Sequence, residues 1–254
     1  MAETIVFEIK DQVAQITLDR PKHNVLDIPM MNELNQALES VAGDDTLKCL
    51  VITGQGKSFC AGVEVGDHKP DNVDEMVAVF NRIFELINLI DIPVVAGVNG
   101  ACLGGGMELA IACDMVLASK KAIFGQPEVK LGFFPPYAAI RLPELVGSAK
   151  AIEIVTTGKT YKAKQARKMG FVSQVADPDD FQDMVDTYVK EVCHSSPLIL
   201  RLNKRAVKRH LGTGFFQGVD LVSNYFLNTL MKTEDTLEGI SSFEEKRRPV
   251  WKNK

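Results

Sequence analysis

Three consecutive glycines, Gly104, Gly105 and Gly106, constrain this chain more than any other feature. Val94 to Val98 before them is a short apolar run that reads as a strand, and Asn99-Gly100 is a turn signal. Met107 to Ala112 after them favours a helix. Glycines at a helix start leave the backbone N–H groups bare. Those groups are the unpaired donors of the helix N-terminus, and the helix dipole adds positive potential at the same point. A developing negative charge placed there is stabilised without a cationic side chain. Glu108 falls in the first turn, where a carboxylate beside an oxyanion site fits acid/base chemistry next to an enolate. The plainer reading is a tight turn with close packing and a dipole-paired glutamate. Two nucleotide motifs fail. Leu109 stands where a G-x-G-x-x-G would need its last glycine. Gly54-Gln55-Gly56-Lys57-Ser58 imitates a P-loop, but Val51 replaces its first glycine.

The rest of the chain is ordinary for a globular protein. Its 254 residues suffice for one large domain or a domain with an appendage, and 46% hydrophobic with 24% charged residues allows a sizeable core. A net charge of -4 without a basic block argues against nucleic acid as a partner. Cys49, Cys60, Cys102, Cys113 and Cys193 lie singly in apolar runs, which reads as buried thiols in a reducing compartment. His23, His194 and His210 show no ligand spacing, so no metal is expected. The first ten residues lack the apolar core of a signal peptide, and no apolar run approaches the ~20 residues of a membrane helix. A cytoplasmic protein without membrane contact is expected.

Read in order, Ile5 to Glu8 and Val13 to Leu18 are strands around the turn Lys10-Asp11-Gln12. Asp27 caps a helix with the apolar face Met30, Met31, Leu34, Ala37, Leu38 and Val41. Cys49 to Thr53 is a strand, and Ser58 to Val63 a small-residue loop. A helix with the face Met76, Val79, Phe80, Ile83, Ile87 and Ile90 ends before Pro93. Met115 to Ala118, Ala122 to Phe124 and Phe171 to Val175 are further strands. Phe133-Phe134-Pro135-Pro136-Tyr137 is an aromatic segment stiffened by two prolines. Gly147 to Thr157 and Ala163 to Met169 are helical. From Asp177 onward the signal is helical: Phe181 to Cys193, Leu198 to Leu211, Phe215 to Leu230 and Thr236 to Lys246. This predicts an α/β core over residues 1–195 and a helical region over 196–254.

Several separated segments resemble one family. Ser58 to Val65, Asn99-Gly100 through Gly104 to Ala110 with Cys113-Asp114, and Phe124-Gly125-Gln126-Pro127-Glu128 are similar to the signature blocks of the crotonase (enoyl-CoA hydratase/isomerase) superfamily. Order and spacing agree, and Phe243-Glu244-Glu245-Lys246-Arg247 resembles the family's C-terminal F-x-E-K-R. The resemblance implies a superhelix of β-β-α turns. It also implies a helical C-terminal region used in trimer formation, and a homotrimer or a homohexamer of two trimers.

It implies a site as well. The backbone N–H groups of Val63 and Gly105 would form an oxyanion hole for a thioester carbonyl. Glu108 and Glu128 match the two glutamates of the hydratases, one handling the attacking water and the other the α-proton. Members that only shift a double bond or hydrolyse a thioester commonly lack one of them. For Glu128 alone, the plainer reading is a solvent-facing turn residue after a proline. Lys22 would lie near the coenzyme A phosphates, or is a solvated loop lysine. Ala61 and Val63 to Gly66, that is Val63, Glu64, Val65 and Gly66, would line the path of the pantetheine and adenine. Phe243 and Lys246 would reach the nucleotide, sometimes from a neighbouring subunit. Coenzyme A belongs to the substrate, so no separate cofactor is expected.

One stretch departs from the family pattern. Where many hydratases have paired glycines, this chain has Ala138-Ala139 among Phe133, Phe134 and Tyr137. An aromatic wall suits a flat ring. This segment, with Ala61 to His68, resembles the cyclohexa-1,5-diene-1-carbonyl-CoA hydratases of anaerobic benzoyl-CoA degradation. The alternatives are an acyclic enoyl-CoA hydratase or isomerase, and a non-catalytic acyl-CoA-binding or RNA-binding scaffold. Asp67 and His68 read either as an extra acid/base pair or as a loop histidine with a local carboxylate.

Overall fold

The protein is described by a computed structural model. It covers residues 4–209, 211, 212 and 215–254, without the side chains of residues 215, 216, 218–220, 222 and 243. Strands β1 (Ile5–Lys10) and β2 (Val13–Leu18) form a hairpin. Helix α1 (Ile28–Ala42) follows, with Asp27 capping the N–H of Met30 and Pro29 in the first turn. Three units of strand, strand and helix come next. They are β3 (Cys49–Gly54), β4 (Ser58–Cys60) and α2 (Val73–Leu89); β5 (Val94–Val98), β6 (Ala101–Leu103) and α3 (Gly105–Ala112); and β7 (Met115–Ser119), β8 (Ile123–Gly125) and α4 (Pro136–Val146). Helix α5 (Ser148–Thr157), β9 (Thr160–Lys162), α6 (Ala163–Met169) and β10 (Gln174–Ala176) complete the sheets. The chain ends in α7 (Phe181–Val192), α8 (Pro197–Arg209), α9 (Phe215–Asn228) and α10 (Glu234–Glu244).

In each unit the first strand joins one sheet and the second strand joins another. The six-stranded sheet runs β1-β2-β3-β5-β7-β10, and the four-stranded sheet runs β4-β6-β8-β9. All six residues of β3 except Thr53 are buried, as are all five of β5, which is the apolar run expected of strands covered on both faces. Met30, Leu34 and Leu38 of α1 and Phe80, Ile83 and Ile87 of α2 enter the same core. That is the face predicted from their helical spacing. Val51, Val95 and Leu117, on the other face of the large sheet, pack against Phe181 and Val185 of α7.

The structure corrects several sequence expectations. Ser58–Cys60 is a strand, not part of a loop. Pro136 opens a helix, so Tyr137 belongs to the first turn of α4, where the sequence suggested only an aromatic segment stiffened by two prolines. The last strand is Gln174–Ala176 and not Phe171 to Val175. Cys193 is only half-buried, whereas the other four cysteines are buried. Among the described residues no helix is long and apolar enough to cross a membrane. His210 lies outside the described residues.

Candidate active site

Parallel pairing in the small sheet brings the predicted site together. Ser58 and Cys60 of β4 pair with Ala101 and Cys102 of β6, and Cys102 and Leu103 pair with Phe124 and Gly125 of β8. The three strands point the same way, so the segments that leave them emerge side by side at one edge. After β4 comes Ala61-Gly62-Val63; after β6 comes Gly104-Gly105; after β8 comes Gln126-Pro127-Glu128. The C-terminal edge of parallel strands is where α/β folds place their ligands.

The loop after β4 is tied down from the other side. Leu26 pairs with Val63 in an isolated parallel bridge, its N–H donating to the Gly62 carbonyl (2.9 Å) and its carbonyl accepting from Glu64 N–H (2.8 Å). In this pairing the N–H of Val63 faces away from Leu26. Ala61 N–H donates to the His23 carbonyl at 3.0 Å. The buried side chain of Asn24 holds the turn by donating to the carbonyls of Gln55, Ser58 and Phe59 at 2.9–3.1 Å.

Gly105 is the first residue of α3, so its N–H has no carbonyl one turn behind it. A Cβ on Gly105 would stand 2.6 Å from Val63 Cγ2 and 3.1 Å from Phe80 Cζ. The two predicted donor residues therefore touch. Gly104 has φ 54° and ψ -132°, a region closed to other residues, and a Cβ there would lie 2.8 Å from Glu128 Oε1 and 3.7 Å from Gly62 Cα. A Cβ on Gly106 would overlap the Cys60 carbonyl oxygen at 2.2 Å. Each glycine admits a different neighbour to the same corner.

Glu108 is buried in the first turn of α3 and accepts a hydrogen bond from Ala138 N–H at 2.8 Å. Burial pushes its carboxyl up to about 7, the Glu128 charge adds to the rise, and the backbone N–H groups of Ala138 and Tyr137 act against it. Glu128 opens the 3-10 turn Glu128–Leu131 and is also pushed up to about 7, chiefly by burial. The fully buried Gln126, with its amide turned to donate, places its nitrogen 3.1 and 2.9 Å from the two Glu128 oxygens. Sequence reading did not single out Gln126 as a site residue. Its only signal was its place in the Phe124-Gly125-Gln126-Pro127-Glu128 block.

The other predicted residues sort by position. Ala61, Val63, Glu64 and Gly66 are half-buried beside this corner, and Val65 is exposed. Glu64 Oε2 lies 3.6 Å from Arg20, which also pairs with Asp27 at 2.9 Å. Lys22 is exposed and adjacent in sequence to His23, the residue that holds Ala61. Phe133 stacks on His68 with centroids 4.8 Å apart, and Tyr137 stacks on Phe84 at 3.9 Å and 8°. Lys246 is exposed just past α10. The side chain of Phe243 lies outside the described residues. Asp67 and His68 do not pair with each other. Asp67 accepts from Ile28 N–H at the start of α1 (3.0 Å), and His68 Nδ1 meets the Glu64 carbonyl (3.0 Å).

Known proteins are similar to this chain along nearly its whole length. The profile of the enoyl-CoA hydratase/isomerase family matches residues 8–254. The short-chain-enoyl-CoA hydratase of Clostridium acetobutylicum is 32% identical over 250 residues, covering 96% of this chain and 95% of that protein. The crotonyl-CoA hydratase of Syntrophomonas wolfei is 33% identical over 252 residues, covering 97% and 96%. The crystal structure of an enoyl-CoA hydratase from Bacillus anthracis superposes with a TM-score of 0.94 at 28% identity, covering 99% of this chain and all of that one. A match of this length, with a buried and a half-buried carboxylate beside a bare helix N-terminus, places the chain in the enoyl-CoA hydratase/isomerase family.

Proposed function

We propose that the protein adds water across the conjugated double bond of an enoyl-CoA thioester. The observation that carries this reading is the pair Glu108, buried, and Glu128, half-buried, both pushed up to about 7 and set around Gly104 and Gly105. The N–H groups of Val63 and Gly105 bind the thioester oxygen and stabilise the enolate that forms when water adds at the β-carbon. One carboxylate takes a proton from that water, and the other, protonated, delivers a proton to the α-carbon. One water is consumed and no redox partner is needed. Two carboxyls with raised affinity for protons supply one acid and one base near neutral pH. Gln126 holds Glu128, and the Ala138 N–H holds Glu108.

Lys22, Glu64 to Gly66, Phe243 and Lys246 belong in this reading to the coenzyme A path. A trimer or hexamer places Phe243 and Lys246 near a neighbour's nucleotide. Exposed apolar side chains on α9 and α10 support assembly, among them Leu227 (62% exposed) and Leu237 (54%). The acyl group is compact in this reading. The relatives are named for short-chain and crotonyl substrates. A cyclic diene, cyclohexa-1,5-diene-1-carbonyl-CoA, is favoured by one observation: Phe133 and Tyr137 present aromatic surfaces next to the corner.

Turnover of crotonyl-CoA and of the cyclic dienoyl-CoA, side by side with product masses, tests both parts. A gain of one water on either substrate supports hydration, and the preferred substrate assigns the acyl class. No gain on either overturns the proposal.

A further inference from the structure

A groove of about 1180 Å³, open to solvent along one side, lies between α2, α4 and α8. Phe84, Tyr137, Ile140, Leu200 and Val207 give it mostly apolar walls. Its charged rim is largely paired internally: Lys204 with Asp114 at 2.6 Å, Arg141 with Glu144 at 2.7 Å, and Arg205 with Asp91. Neither Glu108 nor Glu128 lines it.

A short relay of rings separates this groove from the candidate site. Phe80 stands 3.1 Å from where a Gly105 Cβ would be. One turn on, Phe84 meets Phe80 edge-on at 4.7 Å and Tyr137 face-on at 3.9 Å. The Tyr137-Ala138 backbone supplies the N–H groups on Glu108, while the rings of Phe84 and Tyr137 line the groove. The stacked pair is therefore joined through the Tyr137-Ala138 backbone to the carboxylate and borders the open groove with its rings.

We infer that the Phe84–Tyr137 stack is a partition that sets acyl length: it confines the substrate to a compact acyl group, and the groove behind it is room that a longer chain could use only with the partition removed. The inference rests on the enoyl-CoA reading above. Phe84 is a specificity residue on this account and takes no part in the chemistry.

The test uses full-length Phe84→Leu and Phe84→Ala, with two readouts. One is kcat/KM for trans-2-decenoyl-CoA relative to crotonyl-CoA. The other is the dissociation constant of S-decyl-CoA relative to S-butyl-CoA, which reports on room without turnover. Opening the partition raises both long-to-short ratios at least tenfold. Leu200→Trp, filling the far side, cancels that gain in the double variant and leaves crotonyl-CoA turnover unchanged when made alone. Ratios unmoved in folded Phe84→Leu, or wild-type protein that already treats both lengths alike, overturn the partition. Wild-type protein that binds the thioethers with the expected preference but hydrates nothing overturns the hydratase reading and leaves the partition standing.

Discussion

Glu108 combines burial with a charge that its surroundings disfavour. Its carboxyl moves from 4.5 to about 7, which corresponds to roughly 3 kcal/mol of folding stability. The folded chain binds the proton more tightly than the unfolded chain. The stabilising effect is thus complete below pH 4.5 and is lost as pH rises through 7. Glutamine keeps an acceptor for the Ala138 N–H without the charge. Glu108→Gln should therefore raise the melting temperature at pH 8 by roughly 5–10 °C, and leave it nearly unchanged at pH 5; thermal denaturation at the two pH values checks this. An equal effect at both would remove burial of charge as the cause. The same pair predicts a bell-shaped kcat/KM profile for hydration with its maximum near pH 7, because one carboxyl must be charged and the other protonated. Gln126→Leu removes the donor on Glu128 and should move the upper or lower limb of that profile, a shift that a purely structural role would not produce.

At the scale of elements, the glycines of α3 separate chemistry from folding. Gly105→Ala pushes against the end of the Val63 side chain and the Phe80 ring, both able to yield. It should fold, and should lose ~10²–10³-fold in kcat by displacing the oxyanion donors. Gly106→Ala meets the Cys60 backbone oxygen at 2.2 Å and should fail to yield folded protein, as circular dichroism and soluble yield would show. The long elements were legible in the sequence for physical reasons. The faces of α1 and α2 repeat at helical spacing over 15 and 17 residues, and β3 and β5 are unbroken apolar runs. Strands β4, β6 and β9 have three residues each, too few to show an alternation, and exist because of partners far along the chain; β8, equally short, was read one residue early as Ala122 to Phe124. Helix α4 was hidden by Pro135 and Pro136, which read as breakers, although proline is tolerated in a first helical turn. Glu108 and Glu128 were legible through their motif spacing. Gln126 and Asn24 were not, because a buried amide is recognised by the carbonyls and carboxylates that surround it, and those are set by tertiary structure.

At the scale of the molecule, the small sheet acts as a jig. It aligns the ends of β4, β6 and β8, and so fixes the oxyanion loop, the helix N-terminus and Glu128 relative to one another. Helices α8, α9 and α10 present apolar side chains outward, which leads to the proposed trimer or hexamer. Leu227→Asp on α9 should shift sedimentation toward smaller species and make the melting temperature depend on protein concentration. Sedimentation identical to wild type would place the subunit contact elsewhere.

The central claim is that Glu108 and Glu128 together add water to an enoyl-CoA. The most direct test is hydration of crotonyl-CoA in ¹⁸O-labelled water, followed by mass spectrometry for the wild type, Glu108→Gln and Glu128→Gln. The account predicts a 3-hydroxyacyl product carrying one labelled oxygen, and a loss of ~10²–10⁴-fold in each variant. A labelled product formed at undiminished rate by either variant, or no labelled product from the wild type on this substrate and the cyclic dienoyl-CoA, would contradict it.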